Sequence, residues 1–276
     1  MATHRRHGHH RLSEGLTGSA GAGDAETERN LAEGAAEDSS RDPDASTTDA
    51  GDASDATIDR VGCWRWPDAS FCVDFEAPNS LSTAVWTNAA LTSPAGTISL
   101  SSVLSVSSSR SARFDLPDAA SSCESLSLAR LVNGGFSLLR LRAAVRLDVP
   151  SIFLVVNTGS TTPLQNKYAL QVKLDPGSSV VLELKRTALD GGAVTEIGES
   201  QRTLALSPFG RWIDLVLEIV TSPTPRVARL TVDGVTLTPL ALPGVELDEP
   251  YVALGPVCKS GSMTMHVDDV AIDAVP

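Results

Sequence analysis

In Leu139-Arg140-Leu141-Arg142-Ala143-Ala144-Val145-Arg146-Leu147-Asp148-Val149, an apolar side chain stands at every second position, and arginine, alanine or aspartate fills the others. Successive side chains of a strand point to opposite faces, so the stretch reads as a strand with one face in a core and the other toward water. The same period recurs downstream. Ile213, Leu215, Leu217 and Ile219 alternate with Trp212, Asp214, Val216 and Glu218, while Tyr168, Leu170, Val172 and Leu174 alternate with Ala169, Gln171 and Lys173. Ser151 to Asn157 is apolar on both faces, as a strand in the middle of a sandwich is. No stretch carries a helical stripe. Turn signals separate these runs: Asn133-Gly134-Gly135, Asp175-Pro176-Gly177-Ser178, Asp190-Gly191-Gly192, Pro223-Thr224-Pro225 and Asp233-Gly234. Their spacing predicts about a dozen strands, too many for an immunoglobulin-type domain. The expectation is an all-β, two-sheet antiparallel β-sandwich of jelly-roll type over residues 61–276.

The first 60 residues differ. All twelve aromatics of the 276-residue chain lie after residue 60, and the first 60 positions carry −7 of the net charge of −12. Without large apolar side chains a segment cannot offset its ordering entropy, so residues 1–60 read as a disordered, low-complexity acidic tail or linker. In 42–59 Asp recurs every two to five residues, and charge repulsion makes that run a spacer. His4, His7, His9 and His10 stand among Arg5, Arg6 and Arg11; the alternatives there are a metal-holding cluster and a flexible basic terminus. A net acidic chain does not point to nucleic acid. No run of 18 apolar residues exists to cross a membrane as a helix, and no signal peptide is visible in the chain as written.

Four cysteines, Cys63, Cys72, Cys123 and Cys258, fall after the tail without a Cys-x-x-Cys pair. Disulfides and buried free thiols are the two readings. Under the first the protein works in an oxidising, extracytoplasmic compartment, secreted or on the cell surface. A Cys63–Cys72 bridge would pin the entrance to the domain, and Cys123–Cys258 would close a long loop worth about 4 kcal/mol on an entropic model. Four cysteines allow other connectivities as well.

Gly210-Arg211-Trp212-Ile213-Asp214-Leu215-Val216-Leu217 is a Trp-led strand, Val232-Asp233-Gly234 a tight hairpin, Val252-Ala253-Leu254-Gly255 a strand ending in Leu-Gly, and Val267-Asp268-Asp269-Val270 a closing strand. Phe71-Cys72-Val73-Asp74-Phe75-Glu76 opens the domain. In this order the motifs resemble the concanavalin A-like lectin and glucanase superfamily, its laminin-G-like branch in particular. The resemblance implies a jelly roll whose opening strand near Phe71 lies by its closing strand at Val267, because a sandwich pairs its terminal strands or leaves them as exposed edges.

It also implies where to look for chemistry. Glucanases of this fold carry Glu-x-Asp-x-Glu, or the same with one extra residue, because retaining glycosidases need two carboxylates about 5 Å apart. The nearest string, Glu246-Leu247-Asp248-Glu249-Pro250-Tyr251, puts Pro and Tyr where the last acid belongs. His266 is the one histidine beyond residue 10, which excludes a multi-histidine zinc site in the folded part, and it reads as a surface or rim imidazole. No phosphate-binding glycine loop is present. The expectation is therefore a non-catalytic carbohydrate-binding or adhesion module, with a polysaccharide or cell-surface glycan as partner. A structural or protein-interaction domain is the alternative, and a glycoside hydrolase or polysaccharide lyase the third reading.

Two sets of side chains are candidates for binding. Arg140, Arg142 and Arg146 share one strand face at about 7 Å per two residues and could meet carboxylates or sulfates of an acidic polysaccharide, with Trp86 and Tyr168 as stacking platforms. Trp64, Trp66 and Tyr251 are further aromatics for that purpose. The plainer reading is a solvated face balanced by Asp148, Glu183 and Glu218 on neighbouring strands. For calcium, which members of the superfamily bind, Asp74, Glu76, Asp268 and Asp269 are the hard oxygen ligands to expect; otherwise adjacent acids simply decorate strand ends. No other cofactor is expected.

Overall fold

The computed structural model describes residues 60–276 apart from 62–64, 67, 92–95, 108, 119–124, 159–165, 178, 191–192, 206–208, 244, 246, 248 and 258–260. The expectations for the N-terminal tail and for Trp64, Cys63, Cys123, Cys258, Glu246 and Asp248 fall outside these residues.

Among the described residues the elements are all strands, and none is a helix. The first eight are β1 (Arg60–Val61), β2 (Phe71–Val73), β3 (Asn88–Leu91), β4 (Thr97–Ser101), β5 (Ser111–Leu116), β6 (Leu126–Leu131), β7 (Leu138–Leu147) and β8 (Ile152–Thr158). Next come β9 (Asn166–Asp175), β10 (Ser179–Asp190), β11 (Ala193–Ala205), β12 (Trp212–Val220) and β13 (Val227–Val232). The chain closes with β14 (Val235–Thr236), β15 (Leu240–Ala241), β16 (Tyr251–Val257) and β17 (Met263–Val275).

They form two sheets. The ten-stranded sheet runs β1-β2-β17-β7-β12-β13-β14, with β5 on β17, β4 on β5 and β15 on β13; the seven-stranded sheet runs β11-β10-β9-β8-β16-β6-β3. Pairing is antiparallel throughout except for β1 with β2. The expected neighbourhood of opening and closing strands is present: Val73, Cys72 and Phe71 pair with Val270, Ala271 and Ile272. β17 is also the hub of its sheet, since β5 pairs with its first half, β2 with its second and β7 with both. A bulge at Asp269 and Val270 separates the halves, and Asp269 takes a positive φ there.

The inner faces follow the alternation read from sequence. Leu139, Leu141, Val145 and Leu147 of β7 and Ile213, Leu215, Leu217 and Ile219 of β12 meet Leu154, Val156, Leu170, Val172 and Leu182 from the other sheet in one core. Each such side chain, fully buried, contributes about 1.5–3 kcal/mol of transfer free energy before entropy is subtracted. The β13–β14 turn is the Asp-Gly hairpin, with both Asp233 and Gly234 at positive φ. Gly255 is required for a different reason. It lies in β16 at φ +134°, and a Cβ there would sit 2.2 Å from the carbonyl oxygen of Leu126.

Candidate functional site

The arginine row of β7 is where the alternation puts it, on the outer face of the ten-stranded sheet, and two of its three guanidinium groups are closely paired, while the Arg146 Nε is buried with no hydrogen-bond acceptor. Arg140 binds Glu218 at 2.8 Å across the β7–β12 pairing, Arg142 binds Asp273 at 3.2 Å across β7–β17, and Arg146 lies 3.9 Å from Asp148. Of the counter-charges named from sequence, Glu218 and Asp148 are here, Asp273 joins them, and Glu183 belongs to the other sheet. Arg142 also lies over the ring of Trp66 at 4.3 Å.

Neither expected stacking platform is available. Trp86 is 1% exposed, donates its indole Nε1–H to the Ser80 carbonyl at 2.8 Å, and packs on Phe71 and Phe75. A ring enclosed in this way offers no face to a sugar. Tyr168 shares the parity of Leu170 and Val172 and packs against the core. His266, expected at the surface, is 4% exposed, with Nδ1 3.2 Å from Ser111 Oγ and its ring edge-on to Trp212. Its parity was legible, but the outer face at that point is covered. Burial, then Arg113, holds the imidazole below its ordinary pKa.

The four acids expected to ligate calcium do come together near the β2–β17 pairing, where they hold protein groups. Asp268 accepts from the Val106 amide at 2.8 Å and from the Asp269 amide at 2.9 Å. Asp269 accepts from Ser107 Oγ and pairs with Arg65 at 2.6 Å, which raises the Arg65 pKa. Glu76 accepts from Ser109 Oγ and the Arg110 amide, and Asp74 from the Glu76 amide. Together they clasp the β4–β5 loop to the end of the domain. Among the described residues no three carboxylates, imidazoles or thiols converge as a cation needs. Burial pushes the Asp268 carboxyl up to about 6, and raises Asp74 as well. Cys72, beside this cluster, is disulfide-bonded.

The outer face of the seven-stranded sheet is of another kind. One row across its strands runs Ala129, Ala253, Val155, Gln171, Glu183 and Gln201, and the next runs Leu131, Tyr251, Asn157, Ala169 and Lys185. The middle of the first row faces away from the core yet is buried: Ala129, Val155 and Ala253 are all below 7% exposure, while Leu131, Asn157 and Gln201 at the margins are exposed. Small apolar side chains thus form a floor with polar groups beside it. Lys173 donates to Glu183 at 3.2 Å and lies 4.0 Å from Asp175, so one ammonium serves two carboxylates. The side-chain oxygen of Gln171 is buried with no hydrogen-bond donor. Sequence reading missed this face because the rows depend on strand register, which periodicity along one strand does not give.

No family model matches the sequence and no curated protein matches it. Solved structures do match. An endo-β-1,4-glucuronan lyase from the fungus Trichoderma reesei superposes with a TM-score of 0.52 at 12% identity, over 75% of this chain and 96% of that one. A cellulose-induced protein, Cip1, gives 0.49 at 16% identity over 73% and 96%. An endo-1,3-β-glucanase from Streptomyces sioyaensis gives 0.48 at 15% over 74% and 95%. At such identities the likeness is one of fold, and the fold is the concanavalin A-like jelly roll.

Proposed function

We propose that this chain is a non-catalytic, extracytoplasmic carbohydrate-binding module whose ligand lies along the outer face of the seven-stranded sheet. The observation that carries the reading is the buried side-chain oxygen of Gln171, which lacks a donor and stands beside a floor of small residues, Ala129, Ala253 and Val155. An unsatisfied buried acceptor costs about 1–3 kcal/mol, and a sugar hydroxyl seated on that floor would supply the missing donor. Asn157, directly opposite Tyr251 across the β8–β16 pairing, adds an exposed amide at the rim. Glycan recognition by solved proteins of this fold, a galectin and a carbohydrate recognition domain among them, is consistent with it.

We propose no turnover of the ligand, on account of how the acids of this face are held. Hydrolysis by two carboxylates needs one free to donate a proton and one free to attack or activate water. On this face the carboxylates of Asp175 and Glu183 lie 4.0 and 3.2 Å from the one ammonium of Lys173, so both are already engaged. The disulfide at Cys72 supports an oxidising compartment. Among the described residues no helix is long and apolar enough to cross a membrane.

A glycan array spanning neutral and acidic polysaccharides tests the reading. Binding is expected, and Gln171→Leu, which keeps the side chain's size, should weaken it by about tenfold, or ~1.4 kcal/mol. Silence across the array would end the proposal. Polysaccharide turnover abolished by Glu183→Gln would replace it with an enzyme.

A further inference from the structure

On the opposite side of the molecule, the outer face of the ten-stranded sheet holds a cleft of about 210 Å³. Its floor is Ala144, which is flanked in register by Asp214 on β12 and by Asp268 on β17. That small side chain leaves a pit between longer neighbours, and its walls are Arg65, Trp66, Arg142, Asp214 and Asp269. Arg65 and Arg142 both approach the Trp66 ring, at 5.5 and 4.3 Å. The Trp66 Nε1 is buried with no acceptor.

The charges decide the ligand class. Two guanidinium groups and two carboxylates line the cleft, and they are already paired in part, Arg65 with Asp269 at 2.6 Å and Arg142 with Asp273 at 3.2 Å. An anion entering there meets Asp214 and Asp269, and a cation meets Arg65 and Arg142; either is desolvated beside its own sign. A neutral group that both donates and accepts escapes this, because carboxylates take its hydroxyl protons while guanidinium and indole N–H groups donate to its oxygens. Adjacent hydroxyls on a sugar ring have that character, and Ala144 and Val216 offer apolar contact to its C–H face.

We infer that this cleft is a second saccharide site, selective for neutral over acidic sugars and separate from the site proposed on the seven-stranded sheet. It differs from both sequence readings of the arginine row, an acidic-polysaccharide contact and a solvated, balanced face. The inference does not rest on the site of the seven-stranded sheet, and the two fail independently.

The test uses the full chain and three probes: methyl β-glucoside, methyl β-xyloside and methyl β-glucuronide, followed by tryptophan fluorescence and saturation-transfer NMR. At least one neutral glycoside should bind in the millimolar range, with the glucuronide weaker by about tenfold or more. Asp214→Asn, at an exposed side chain, should weaken the neutral probe about fivefold or more, and Val216→Phe, which fills the cleft from its rim, should abolish the fluorescence response. Gln171→Leu should leave that response unchanged. The inference is overturned if no neutral glycoside binds, if the glucuronide binds as tightly, or if binding survives both cleft variants. Should Val216→Phe lower the melting temperature, Asp214→Asn decides alone.

Discussion

The outer faces of the two sheets are built by the same two-residue alternation and end as opposites. On the ten-stranded sheet many outward positions are long and charged, and they neutralise one another, across strands in Arg140 with Glu218 and Arg142 with Asp273, and along β5 in Arg113 with Asp115. On the seven-stranded sheet the central outward positions are Ala129, Ala253 and Val155, small and buried, with polar groups set to the side. Most charges of the ten-stranded face are paired within it, and unmet donors such as the Trp66 Nε1 lie at the cleft beside Ala144. A floor of small residues beside an acceptor without a donor is incomplete, and incompleteness of that kind is what a ligand can satisfy.

The comparison can be broken most severely at Gly255. Gly255→Ala drives a Cβ into the Leu126 carbonyl between β16 and β6, in the middle of the seven-stranded sheet. A loss of about 3 kcal/mol or more is expected, read as an earlier midpoint in urea unfolding. Ala169→Trp, on the outward face of β9, should leave stability within about 1 kcal/mol but remove the array binding that Gln171→Leu weakens, while the methyl glycoside response of the opposite cleft persists. If the Gln171-dependent binding persists, this face is not where the glycan sits.

A pH titration sharpens the other side. Asp268 titrates near 6 in the folded chain, above the ordinary carboxyl value of 3.8, so the folded state holds that proton more tightly; its contribution is complete below 3.8 and is lost as pH rises through 6. His266 acts in the opposite sense. Its folded pKa lies below 6.5, so stability falls as pH drops through that value. His266→Gln, which keeps a partner for Ser111, should therefore unmask a melting temperature that rises more steeply than wild type between pH 7 and 5. A parallel curve would refute the assignment. Smaller still, Arg140→Ala removes a partly exposed ion pair and should cost about 0–1 kcal/mol with no change in the array. Chelation with EDTA should leave the melting temperature where it was, since Asp74, Glu76, Asp268 and Asp269 hold backbone and side-chain donors of the chain itself; a fall would reinstate the calcium expectation.

Much of the fold is written in strand parity. β7, β9 and β12 lie where alternation puts them, and the terminal strands pair as the motif order implies. The short strands β14 and β15 left no period to read, which is one reason about a dozen expected strands became seventeen. The sites were less legible for physical reasons. An aromatic looks alike in sequence whether it builds a core or a platform, as Trp86 demonstrates, although Tyr168 could have been assigned to the core by its parity with Leu170. Glu183 was matched to the wrong counter-charges because the strand order that puts it beside Lys173 is a property of the whole sheet. Periodicity tells which residues point outward. It does not tell whether outward means water, a neighbour's charge or a groove.

The position of β17 has a consequence for biosynthesis. Residues 263–275 form the strand against which β2, β5 and β7, all from the first 147 residues, must align. A ribosome adding residues at about 5–20 per second exposes those earlier strands for several seconds with their central template still unmade. The edges that β17 will occupy must then stay unjoined until residues 263–275 emerge, and a truncation before Met263 would remove the middle of the sheet.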